Sequence, residues 1–151
     1  MTLHSILLLL HLLAIVVWVG GMFFALFCLR PAAIAVLPPL QRLPLLHAAL
    51  GRFFKIVVMA ITILLATGVT MVLMVGMNNM PIAWQWMIGL GVVMMAIFFH
   101  VRAAPFKRLK KCIEVQDWPA ASRHLEQIRI GVLLNLAIGL SIIAVMKLGR
   151  V

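Results

Sequence analysis

Four long apolar stretches constrain the fold of this chain more than any other feature. They span about residues 4–29, 54–77, 82–101 and 128–147, and each is close to the ~20 residues that a helix needs to cross the hydrocarbon core of a bilayer. Because 66% of the residues are hydrophobic and only 11% are charged, the composition excludes an ordinary soluble globular domain. The sequence therefore predicts an all-α fold, an integral membrane four-helix bundle that forms one domain over residues 1–151.

Prolines and an aspartate predict where these helices begin and end. Asp117-Trp118-Pro119 is a typical helix start, with Asp as the N-cap and Pro in the first turn, so the fourth helix should cover about residues 118–147. Pro31, directly after Arg30, is expected to end the first helix. The proline-rich residues 31–51 are then predicted to form a short interfacial segment, before the second helix begins near residue 54.

The basic residues predict the orientation of the helices. Lys and Arg gather in and beside the first and third connections, whereas the second connection, Gly76 to Ala83, carries no charge. Connections rich in Lys and Arg stay in the cytoplasm. We therefore expect the first and third connections to face the cytoplasm and both termini to face outward. The formal net charge of +10 is interpreted as a signal of topology in the lipid bilayer rather than as a nucleic-acid-binding surface.

The first helix places two histidines on one apolar face. His4, His11 and Trp18 recur every seventh residue, a spacing that keeps side chains on the same side of an α-helix. An imidazole is costly in hydrocarbon and usually turns toward a bundle interior, a cavity or a ligand. His11, the deeper of the two, either binds a ligand or is hydrogen-bonded within the bundle, to Asn135 or to a backbone carbonyl.

Methionines of the second and third helices are predicted to lie at depths that match these histidines. Thioethers are soft ligands that select Cu(I), although methionine is also a common filler of apolar gaps. Histidine and methionine at matched depths would form either a copper path or a heme site. The candidate metal ligands are His4, His11, Met71, Met74, Met77, Met87 and Met94.

His100 is the second histidine considered as a heme ligand, beside His11. It lies at the end of the third apolar stretch, about 15 Å deeper than His11 at a rise of 1.5 Å per residue. The two histidines are therefore poor candidates to ligate one iron together. No acid lies in any membrane span, which argues against carboxylate-based catalysis.

Several short motifs are spread along nearly the whole chain: His11-x6-Trp18-x-Gly20-Gly21, Arg30-Pro31, Arg52-Phe53-Phe54, Thr67-Gly68, Phe99-His100, Asp117-Trp118-Pro119-Ala120-Ala121 and Asn135. Together they resemble the copper-resistance D (CopD) family. Such proteins are inner-membrane proteins associated with copper uptake or tolerance, usually beside a periplasmic copper-binding partner. The resemblance implies a bacterial inner-membrane protein with both termini periplasmic, which handles copper through a periplasm-facing His/Met path.

A weaker resemblance points to a different function. The His-x6-Trp start is also similar to that of the HemJ-type protoporphyrinogen oxidases, four-helix heme proteins with a histidine late in helix three that His100 could match. That family also carries a lysine on the same helix face as this histidine, three turns before it. The corresponding position here is near Gly89, and helix three has no lysine. The alternatives to copper handling are thus a heme b-binding membrane redox protein, or an accessory subunit of a larger membrane complex.

Overall fold

The computed structural model describes residues 2–148 and confirms an all-helical membrane architecture. Four continuous helical segments within this part of the chain are long and apolar enough to cross a membrane: Leu3–Val36, Pro39–Val75, Ile82–Glu114 and Trp118–Leu148. The elements in chain order are α1 (Leu3–Phe24), a π-helical turn (Ala25–Leu29), α2 (Arg30–Val36), α3 (Pro39–Val75), a 3₁₀ turn (Met77–Asn79), α4 (Ile82–Ala103), α5 (Pro105–Glu114) and α6 (Trp118–Leu148).

The first helix does not end at Arg30-Pro31, which corrects the sequence-based expectation. Proline lacks the N–H for an ordinary helical bond and clashes with the carbonyl four residues before it. The chain accommodates Pro31 by widening into the π-helical turn just before it, where the Arg30 N–H bonds to the Ala25 carbonyl. Pro31 then lies in the first turn of α2, where no intrahelical N–H bond is required.

The second helix begins at Pro39 rather than near residue 54, so residues 39–53 form its first part and are not a separate segment. Leu43, Leu46 and Leu50 are buried at helical spacing, and their apolar stripe holds this early part of α3 against the bundle. Pro44 is tolerated inside the helix, although it removes one backbone hydrogen bond.

The fourth helix begins where the sequence predicted. Trp118 is the first residue of α6, and the Ala120 N–H donates to the Asp117 carboxylate oxygen Oδ1 at 3.1 Å. The polar connection before it contains a further helix, α5, which packs against α6 and buries Leu109 completely. The basic residues of this connection are therefore held on a folded element at one end of the bundle.

The core joins two helix pairs. α1 packs mainly against α3, and α4 packs mainly against α6. Aromatic rings connect the pairs: Phe98 of α4 meets Trp18 of α1 edge-to-face at a centroid distance of 6.1 Å and Phe54 of α3 at 5.5 Å. These contacts fix the relative depth of three helices, which is needed to place the candidate site.

Candidate metal-binding site

The buried face of α1 carries His11 toward the bundle interior. His11, Ala14, Trp18 and Met22 are the buried residues of this helix, and their spacing defines one face. His11 retains only 9% of its side-chain exposure. His4, seven residues earlier, is exposed near the start of the helix. The heptad therefore predicted the buried histidine correctly, whereas His4 lies at the mouth of the bundle.

A hydrogen bond between His11 and Thr67 indicates which nitrogen of the imidazole keeps a lone pair for a ligand. His11 Nδ1 lies 2.9 Å from Thr67 Oγ1, and that hydroxyl donates its hydrogen to the Ile63 carbonyl at 2.7 Å. With its one hydrogen on the Ile63 carbonyl, the Thr67 hydroxyl oxygen accepts from a protonated Nδ1. The lone pair of the neutral ring is then on Nε2, which is the nitrogen that can bind a metal.

Gly68, the residue after Thr67, also lies close to the His11 imidazole. A Cβ atom added at Gly68 would lie 3.4 Å from Cε1 of His11, so glycine lets the ring rest closely against α3. Thr67 and Gly68 were recognised in the sequence only as part of a family motif, not as partners of His11. The sequence signal for this contact was a polar residue followed by glycine within an apolar stretch.

Asn135 does form the predicted bond to another helix, but not with His11. Its Nδ2 donates to the backbone carbonyl of Met94 at 3.0 Å, which links α6 to α4. Its Oδ1 is buried without a hydrogen-bond partner. His11 is therefore hydrogen-bonded within the bundle, but to the Thr67 hydroxyl rather than to Asn135 or a backbone carbonyl. This bond uses Nδ1 and not Nε2.

The candidate methionines fall into two classes. Met71 and Met94 are buried, at 6% and 4% exposure, and Met87 is half-buried. Met71 follows Thr67 by one helical turn, on the same side of α3 and toward the His4 end of the bundle. Met74 and Met77 are 52% and 74% exposed. Met71 and Met94 are thus the candidate methionines that lie inside the bundle, each within about one helical turn of the depth of His11.

Comparison with protein families identifies the chain. The family model for copper resistance protein D matches residues 47–148, more than half of the sequence. The chain belongs to the copper resistance protein D family. No curated protein and no solved structure matches it.

For this member of the copper resistance protein D family, the candidate donors considered above are neutral and soft. The matched region contains Thr67, Met71 and Met94, while His11 lies on the helix before it. No group of three or more His, Cys, Asp or Glu that could hold a metal occurs in residues 2–148. A metal site at His11 would therefore depend on one imidazole and neighbouring thioethers, a combination that suits Cu(I).

The resemblance to the HemJ-type oxidases is not confirmed, and the two heme-ligand candidates do not converge. The Trp18–Phe98 contact sets a common depth: His11 lies about 10 Å above Trp18 along the axis, and His100 about 3 Å below Phe98. The His100 side chain also faces out of the bundle. Two partly open pockets have volumes of about 30 and 10 Å³, and neither could accommodate a porphyrin. The residues do not fit a heme held between these histidines.

Proposed function

We propose that this protein accepts Cu(I) at the periplasmic side of the inner membrane and passes it inward through a site centred on His11. The observation that carries the proposal is the hydrogen-bond relay from His11 through Thr67 to the Ile63 carbonyl. Such a relay holds the ring in one orientation with Nε2 unprotonated, as second-shell groups do at metal sites. The bond to Thr67 involves only Nδ1, so Nε2 is the ring nitrogen that remains for a ligand.

The distribution of soft ligands supports an entry route from the His4 end. Exposed His4, Met74 and Met77 lie at this end, where they could collect the ion. Buried Met71 lies one turn from Thr67 and would be the first thioether near His11. On α4, Met87 lies on the outer side of the depth of His11 and Met94 on the inner side, so the series continues inward at Met94. A neutral set of donors can release a monovalent ion to the next ligand without leaving a buried charge behind.

The direction of the route follows from the basic residues. The exposed cations of α5 lie at the end of the bundle opposite His4 and Met77. Since Lys- and Arg-rich connections stay cytoplasmic, the His4 end would face the periplasm. A periplasmic copper-binding protein is the partner that fits this arrangement.

The direct functional test replaces His11 by Gln, which keeps hydrogen bonding and approximate size but ligates copper poorly. We expect a folded, membrane-inserted protein whose Cu(I) affinity, measured by competition with a chromophoric chelator, falls by more than about tenfold. Unchanged affinity in a folded His11→Gln protein would show that the histidine serves packing alone.

A further inference from the structure

A groove at the opposite end of the bundle combines apolar walls with a basic rim. It lies beside the π-helical turn, between the first helix, α3 and α6, and its cavity of about 30 Å³ is partly open to the outside of the bundle. Leu29, Leu46 and Ile128 are among the residues that form its walls. Because these helices span the membrane, the open side of such a groove would be in contact with lipid.

The rim of this groove carries more positive charge than its carboxylate neutralises. Glu126 accepts from Arg30 Nη2 at 3.2 Å through Oε2 and from Arg129 Nε at 2.7 Å through Oε1. Two guanidinium groups thus share one carboxylate, which leaves one net positive charge. The Nε of Arg30 is buried and has no hydrogen-bond partner. The Arg30 side chain as a whole is 32% exposed, so its guanidinium can turn this unpaired donor toward an acceptor at the rim.

We infer that this groove binds a phospholipid with an anionic headgroup. The phosphate would accept from the free guanidinium donors of Arg30 and Arg129, a geometry for which arginine is well suited. The first part of an acyl chain would lie along the leucine-lined walls. The π-helical turn contributes Ala25 and Leu29 to this surface, so the distortion caused by Pro31 helps to form the groove.

Two substitutions that break the same ion pair distinguish lipid binding from a merely structural role. Arg30→Gln removes the phosphate donor, whereas Glu126→Gln removes the competing carboxylate and frees both arginines. For lipid binding, Arg30→Gln should lower the preference for phosphatidylglycerol over phosphatidylcholine by about tenfold. Glu126→Gln should keep or increase that preference. Lipid retention measured by native mass spectrometry of the purified protein provides the readout.

The matched control is Arg52→Gln, which removes an exposed cation elsewhere on α3 and should leave the preference unchanged. If Arg30→Gln and Glu126→Gln lower the lipid preference equally, the Arg30–Glu126 contact is only a structural ion pair. If Arg52→Gln lowers the preference as much as Arg30→Gln does, the preference reflects diffuse positive charge. Displacement of the lipid by millimolar inorganic phosphate would indicate a free-anion site. Each of these results overturns the lipid groove. If Arg30→Gln does not fold, a loss of preference in Glu126→Gln alone overturns it.

Discussion

At the scale of single residues, Thr67 decides the chemistry available to His11. A threonine inside a helix commonly donates its hydroxyl hydrogen to a carbonyl one turn earlier, as Thr67 does to Ile63. Its oxygen is then an acceptor only, and the adjacent imidazole must present Nδ1–H to it. One ordinary intrahelical bond therefore selects the tautomer of a residue 56 positions away.

Replacing Thr67 tests this relay without touching a metal ligand. Thr67→Val keeps the shape but removes the acceptor, so the His11 ring loses its preferred orientation and Cu(I) binding should weaken by about 10- to 100-fold. Thr67→Ser retains the hydroxyl and should restore most of the affinity. Chelator competition measures both variants. If valine and serine bind Cu(I) equally well, the relay does not orient the ligand.

The burial of His11 was predictable because a heptad is a local pattern, whereas its partner was not. Thr67 lies on another helix, and the rotation of α3 about its own axis decides which of its residues meets His11. For Asn135, likewise, the expectation of a bond to another helix is confirmed, but the Met94 carbonyl that accepts it carries no signal in the sequence. Partners across helices depend on packing rather than on spacing.

At the scale of elements, prolines caused the two errors in helix length. Each was expected to end or prevent a helix, because proline removes a backbone donor. Pro31 follows a π-helical turn that adjusts the backbone around it, and Pro44 lies in a segment whose leucine stripe is buried in the bundle. A local change of the backbone therefore accommodates Pro31, whereas tertiary packing outweighs local preference at Pro44. The start of α6 was predicted correctly because an Asp N-cap acts within a single turn.

Helix α3 offers a matched pair of methionines for testing the soft-ligand face. Met71 is 6% exposed on the side that carries Thr67, whereas Met59 is 60% exposed on the same helix. Leucine nearly preserves volume and hydrophobicity at either position, so both variants should fold. Met71→Leu should lower Cu(I) affinity, or copper-dependent growth, while Met59→Leu should not.

The comparison of these two variants has a clear negative outcome. If Met71→Leu and Met59→Leu leave copper binding equally unaffected, Met71 contributes packing only. The same chelator competition applied to Met74→Leu and Met77→Leu then shows whether the exposed methionines act alone at the mouth of the bundle.

At the scale of the whole molecule, the two ends of the bundle have different chemistry. One end carries exposed His4 and Met77, and the other carries the basic helix α5 and the arginine-lined groove. Hydropathy was sufficient to predict four helices long and apolar enough to cross a membrane, and these helices are confirmed. The pairing of α1 with α3 and of α4 with α6 was not predictable, because it depends on which apolar faces fit together.

The different chemistry of the two ends predicts how the protein is oriented in the membrane. Since basic connections remain in the cytoplasm, reporter fusions at the two termini should both be active only on the periplasmic side. Fusions in the connection that contains α5 should be active only in the cytoplasm. A cytoplasmic N-terminus would place His4 at the wrong end for periplasmic entry and would contradict the proposed direction of copper movement.

The central claim is that His11 Nε2 binds Cu(I) together with thioether sulfur, and X-ray absorption of the purified, Cu(I)-loaded protein tests it most directly. We expect a mixed nitrogen and sulfur shell, with outer-shell scattering from one imidazole that disappears in His11→Gln. Met59→Leu should leave the spectrum unchanged. A shell of sulfur alone, or imidazole scattering that persists in His11→Gln, would contradict the claim.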